Sequence, residues 1–377
     1  TRALRADPKR KGLLYAGTER GMYISFDDGS NWNKFQLNLP IVPITDLAIK
    51  NDNLIAATQG RSFWMIDDLT PMHQLTTSLV QEDVILFKPQ DSYRMGGGNG
   101  RTSKTEGTNH PGGVAINYFI KEKDAKEPVS LQIYDSNDAL IKTFSTNPNK
   151  EKKEAKLTLE NGNNIFYWDM MYPGAEKVKG MILWWASLNG PMALPGNYKV
   201  TLTMGETSKS QNFTILKNPI SETTLADATA QFDFINDINT KVTEIHKALK
   251  NVKKVRAQVT ALQTSIKNKE KHSELLDYAA SLLKEMTIIE ETLYQTKSKS
   301  GQDPLNFPIR LNNKLAHLNS LTRIGSYAPT QQAIDFKNEI NKEIDKELSK
   351  LYDLFNNKVT VLNKKVKDSQ IDLIQLD

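Results

Sequence analysis

The chain has 377 residues, with 49 Lys and Arg against 44 Asp and Glu, a net charge of +5, and no cysteine. Its length exceeds what one core usually spans, so two or three domains are expected. The mixed charge argues against a nucleic-acid surface, and the missing cysteines exclude disulfides, thiol nucleophiles and cysteine-ligated metals. No stretch is long and apolar enough to suggest a transmembrane segment, and no charged-then-apolar signal segment follows Thr1.

The chain opens on a repeat. Residues 14–28 and 54–68, LYAGTERGMYISFDD and LIAATQGRSFWMIDD, align without a gap at a spacing of 40. That period matches one four-stranded propeller blade, so residues 1–88 are expected to hold the last two blades of a larger β-propeller whose other blades are N-terminal to them. SFDDGSNW fits the Asp-box pattern S-x-D-x-G-x-x-W through Ser25, Asp27, Gly29 and Trp32. Asp27 would accept turn amides, Gly29 would adopt a backbone shape other residues resist, and Trp32 would cover the hairpin. The role expected for these four residues is structural, and the second copy, running on into LTPM, is degenerate. The preceding hairpin turns then lie at the opposite end of each blade, which makes Glu19, Arg20, Arg61 and Trp64 the ligand-binding candidates.

LLYAGTERGMYISFDDGSNW followed by ATQGRSFWMIDDLTP resembles the sortilin-like, Asp-box (BNR) repeat propeller proteins of bacteria that are often labelled glycosyl hydrolases. The resemblance continues through ALPGNYKV, from Ala193 to Val200, and QDPLNFPIRLNNKLAHL, from Gln302 to Leu318. It implies a secreted, periplasmic or cell-surface protein with a large propeller that binds peptide or glycan. It does not imply a reaction. A sialidase-type site needs an arginine cluster, a Tyr/Glu pair and an acid/base spread over several blades, and that set does not map onto these two.

Residues 89–113 are expected to be a glycine-rich linker, since MGGGNGRTSKTEGTNHPGG lacks the lysine and helix of a phosphate-binding loop. Residues 114–218 read as six or seven short strands, which predicts an immunoglobulin- or fibronectin-like sandwich. GNNIFYWDM and LPGNYKVTL resemble the immunoglobulin-like modules of flagellar hook-capping proteins. Within this stretch Trp184, Trp185 and Tyr172 could form an aromatic platform for a sugar, although core or interface packing is the commoner use of such rings.

Residues 219–377 turn helical. Apolar stripes run through Ile238, Val242, Ile245 and Leu249, then Leu275, Leu282 and Met286, then Leu315, Leu318 and Leu321, then Ile340, Ile344, Leu348 and Leu351. Four such helices predict an antiparallel four-helix bundle, with homo-oligomerisation through its stripe as an alternative role. Residues 218–377 carry 23 Lys and Arg against 21 Asp and Glu, so the lysines of the first helix read as a solvated face. The five histidines show no H-x-x-x-H spacing, and neither a metal nor a cofactor is expected. The expected function is a non-catalytic scaffold and interaction region of a propeller protein. The alternatives are part of a glycoside hydrolase centred on other blades, or an oligomerisation module.

Overall fold

The computed structural model describes residues 1–98, 107–122, 127–152, 154–266 and 272–371. The chain is a mixed β plus α protein, with antiparallel sheets in its N-terminal half and helices in its C-terminal half. Its contacts form two units, residues 1–170 with 195–219, and residues 171–194 with 220–377.

The first repeat copy builds a four-stranded antiparallel sheet from β1 (Ala3–Ala6), β2 (Leu14–Thr18), β3 (Gly21–Ser25) and β4 (Asn33–Lys34). The second copy builds only three strands, β5 (Ile44–Lys50), β6 (Asn53–Thr58) and β7 (Phe63–Ile66). A short helix, α1 (Thr70–Gln74), follows where a fourth strand would lie. The sheets share one core, in which Tyr15, Met22 and Ile24 of the first meet Ile44, Leu47, Leu54 and Ala56 of the second. Gly17 is required there: a Cβ on it would lie 2.7 Å from the Ile44 side chain.

The hairpins differ by one residue, which the gap-free alignment conceals. Leu14 pairs with Ser25 in the first copy, but Leu54 pairs with Ile66 in the second. Strand β7 therefore matches β3 at a spacing of 41, and Asp68 rather than Asp67 takes the ladder position of Asp27. The shift leaves Phe63 and Met65 on the face that Met22 and Ile24 occupy in the first sheet. Met22 and Ile24 are buried, whereas Phe63 is 77% exposed and Met65 55%.

Strand β8 (Val84–Leu86) pairs antiparallel with β10 (Val114–Ile120), and β9 (Ser92–Tyr93) pairs parallel with the last strand of this unit. The stretch expected as linker therefore contains a strand, and the part of it at residues 99–106 lies outside the described residues. Strands β11 (Val129–Tyr134), β12 (Leu140–Ser145), β13 (Ala155–Lys156), β14 (Gly162–Trp168), β15 (Gly196–Met204) and β16 (Thr207–Leu216) complete two sheets. Their orders are β14-β10-β8 and β13-β12-β11-β15-β16-β9. Trp168 is fully buried, with ring centroids of Tyr198 and Phe213 at 5.8 and 6.1 Å.

The other unit contains α2 (Leu225–Ile266), α3 (Ser273–Leu293), α4 (Leu311–Thr322), α5 (Gln331–Asp353) and α6 (Thr360–Asp368). The residues of the four apolar stripes meet in a single core, except Leu321, which is exposed. Thr330 caps α5 through the Ala333 N–H, and a π-helical segment at Leu354–Val359 carries α5 into α6. α4 begins only at Leu311, beyond Pro308, which lacks an N–H and disfavours helix at the residue before it.

Residues 171–194 depart from the expected boundaries. They belong with the helices, not with the sheets that flank them in sequence. The cause is a set of side chains that hydrogen-bond this strap's backbone. Asn313 accepts from Trp184 N at 2.7 Å and donates to Trp184 O at 2.9 Å. Asn239 and Asn319 both donate to Asn189 O, and Thr243 accepts from Glu176 N. Fully buried His246 bonds Glu176 O through Nδ1 at 2.5 Å. Burial holds the imidazole below its ordinary pKa, and this bond only partly offsets that. No helix among the described residues is long and apolar enough to cross a membrane.

Candidate functional site

The repeat sheets have two distinct ends. Gly17 lies against Ile44 at one, while Lys9 reaches Asp52 and Asp7 reaches His73 at the other. Strands β1 and β5 thus run in the same direction, and the β2–β3 and β6–β7 turns share the first end. The candidates Glu19, Arg20 and Arg61 lie there. Glu19 is paired to Arg2 at 2.5 Å, and exposed Arg61 bonds the carbonyl of neighbouring Gly60. Exposed Arg20 is held through its backbone N–H by the Thr18 hydroxyl, and its guanidinium has no hydrogen bond or ion pair among the described residues. Trp64 differs from these three. Its Nε1 donates to Arg61 O at 2.9 Å, and its ring lines a small apolar gap with Met22, Leu54 and Ile66. It supports the turn from inside.

At the opposite end, the β3–β4 turn is closed by the Asp-box residues. Ser25, fully buried, donates to Asp27 at 2.8 Å and accepts from Gly29 N at 2.9 Å. Asp27 accepts from the side chain and the backbone N–H of Asn31, at 2.7 and 2.8 Å. These bonds, with that from Ser25, hold its carboxyl below the usual range. Gly29 has φ +90, and the Trp32 ring lies 3.7 Å from where its Cβ would be. The Ser25 and Asp27 side chains bond within their own turn, an arrangement suited to shaping a hairpin.

The same end contains a network that sequence reasoning missed. The Asp7 side chain is fully buried and accepts from Lys9 N at 2.8 Å, Arg10 N at 3.0 Å and Tyr15 Oη at 3.3 Å. His73 Nε2, on α1, lies 2.9 Å from its other side. Burial opposes the Asp7 charge, but the His73 bond and the two backbone N–H groups outweigh it, and the carboxyl stays below its ordinary pKa. Burial and the Asp7 charge together push the Tyr15 phenol up. His73 also lines an open cleft of about 710 Å³, with Lys9, Asp52, Gln90, Asp91 and Tyr93 among its walls. Asp7, Tyr15 and His73 are up to 66 residues apart, and no spacing rule connects them. The readable signal was Asn51-Asp52, a turn between two apolar runs.

The aromatic candidates lie on the strap. Trp184 and Trp185 have ring centroids 6.0 Å apart, tilted by 54°, and Trp185 is 74% exposed. Tyr172 meets Phe232 edge-on at 4.8 Å. Among the described residues, no group of three or more His, Asp or Glu could hold a metal ion. Neither a protein-family model nor a curated protein matches the chain.

Proposed function

We propose that residues 1–88 are two consecutive blades of a larger sortilin-like, Asp-box propeller exported to the cell envelope or beyond. In this reading the propeller binds peptide or glycan through its hairpin end, using Arg20 and Arg61. The β region after them is an immunoglobulin-like sandwich and the helices a four-helix bundle. Both serve as a non-catalytic scaffold. One observation carries the reading: the exposed face of the second sheet is the repeat equivalent of the first sheet's buried face. Ile55, Ala57, Phe63 and Met65 correspond to Tyr15, Gly17, Met22 and Ile24, and the latter set is covered by the next sheet in the chain. Strands apolar on both faces are the pattern of sheets stacked on both sides, and a further blade would cover Phe63 and Met65 as the second covers Met22 and Ile24.

The test is a glycan array and a peptide pulldown on the protein expressed from its whole reading frame. Arg20→Ala together with Arg61→Ala lowers binding at least ~10-fold, the loss expected when charge-assisted hydrogen bonds worth ~1.5–3 kcal/mol disappear. Unchanged binding in the double variant would sink the hairpin site.

A further inference from the structure

The cleft beside His73 has the chemistry of a second binding site, at the opposite end of the sheets from the two arginines. Its acceptors remain open. Asp7 is a carboxylate that already accepts two backbone N–H bonds, so the His73 Nε2 facing it carries the proton. In the neutral ring Nδ1 is left as an acceptor, and it has no hydrogen bond among the described residues. Asp52 is 8% exposed and takes both Lys9 Nζ, at 2.6 Å, and Gln90 Nε2, at 3.1 Å, on Oδ2. Its Oδ1 is free. Asp91 accepts Thr214 N on Oδ1, and its Oδ2 likewise has no partner among the described residues.

Backbone strain coincides with this site. Asn51 and Asp52 have φ of 51° and 63°, a tight turn whose second position glycine fills at least cost. An aspartate there adopts a backbone shape that favours glycine and sets a carboxylate at the cleft wall. Among the residues that line the cleft the charges balance: Lys9 and Lys88 offset Asp52 and Asp91. Neither a phosphate nor a polyamine would gain a net field. Tyr93, half exposed, adds an aromatic ring to the wall. Open acceptors, zero net charge and one aromatic face describe a site for a neutral ring rich in hydroxyl donors.

We infer that this cleft binds a neutral saccharide, its hydroxyls donating to Asp52, Asp91 and His73 Nδ1 and its apolar face stacked on Tyr93. The inference stands without the propeller reading, because the residues it uses all line the cleft in this chain. The test uses the 377-residue chain and a panel of neutral hexoses, N-acetylhexosamines and their short oligomers. Saturation-transfer NMR detects binding, and the His73 imidazole nitrogen shifts locate it. The expected result is binding at millimolar sugar that moves the His73 Nδ1 resonance and weakens at least tenfold in Tyr93→Ala and in Asp91→Ala. Both residues lie on the surface and leave the Asp7 network intact. Arg20→Ala and Arg61→Ala leave this binding unchanged, which separates its failure from failure of the hairpin site. The inference is overturned if no panel member binds, if binding leaves His73 unshifted or survives Tyr93→Ala, or if inorganic phosphate alone moves the His73 resonance.

Discussion

Asn313→Ala isolates the clamp that assigns the strap to the helices. The native side chain is 4% exposed and replaces a missing strand partner, satisfying the N–H and the C=O of Trp184 at once. A backbone group left unpaired away from water costs about 1–3 kcal/mol, and one that regains solvent loses only about 0.5–1.5 kcal/mol. Trp184 is half-buried, so both regimes contribute, and the sum is about 2–3 kcal/mol for the two bonds. Asn313→Asp sharpens the test. It keeps the acceptor for Trp184 N but turns a carboxylate toward Trp184 O, so at neutral pH it should be as damaging as alanine. Lowering the pH protonates the new carboxyl, restores a donor and recovers part of the loss. The assay is urea unfolding followed by far-UV ellipticity, which reports this unit because α2 to α6 all lie in it. Lys314→Ala, at an exposed neighbour on α4, is the control. A loss in Asn313→Ala no larger than the control's, about 0.5 kcal/mol or less, would refute the clamp.

Two further outcomes follow from the packing and the buried histidine. Gly17→Ala forces a methyl to 2.7–2.9 Å from Ile44, and should cost about 1–3 kcal/mol in thermal unfolding; a melting temperature equal to the parent's would contradict the close packing of the two sheets. His246 is held neutral by burial, so its pKa in the folded chain lies below the ordinary 6.5 and the unfolded chain binds the extra proton. Stability of the helical unit is therefore complete above that ordinary value and falls as pH drops from about 6.5 towards the depressed folded value. His246→Asn, which retains a donor for Glu176 O, should flatten that slope; an unchanged slope would show that other groups set it.

The strands and helices were legible because their signals are local. VAINYFI alternates and became β10, and the apolar stripe of Ile238, Val242, Ile245 and Leu249 became the buried face of α2. Residues 171–194 gave no such signal. Their backbone partners are side chains up to 133 residues away, as Arg323 is from Gly190, and the polar residues involved are spread through helices whose apolar stripe gives no hint of them. Buried Gln231, Asn239 and His246 on α2 resemble breaks in the stripe when read alone. They are the positions from which that helix holds other segments: Gln231 reaches the carbonyls of Thr322, Gly325 and Tyr327. The candidate residues show the same division. The Asp box is a local pattern and was readable, whereas the Asp7, Tyr15 and His73 network required three segments to meet.

The degenerate second repeat is what produces that meeting. In the first copy, Asp27 folds the chain back through Asn31, and β4 follows. The extra hairpin residue in the second copy brings Asp68 to the same ladder position, but its neighbours differ. Its Oδ1 accepts from Thr70 N and Thr70 Oγ1, and Pro71 occupies the first turn of α1, so the chain enters a helix in place of a fourth strand. Asp68 Oδ2 meanwhile accepts from Asn117 of β10, so the carboxylate binds a neighbouring sheet instead of closing its own turn. The helix delivers His73 to Asp7 and opens the cleft between the Asn51-Asp52 turn and the strand at Tyr93. A regular fourth strand would have filled the ladder beside β7 and provided no imidazole. The different turn at Asp68, Thr70 and Pro71 is thus the local change from which both the three-stranded second sheet and the polar cleft follow.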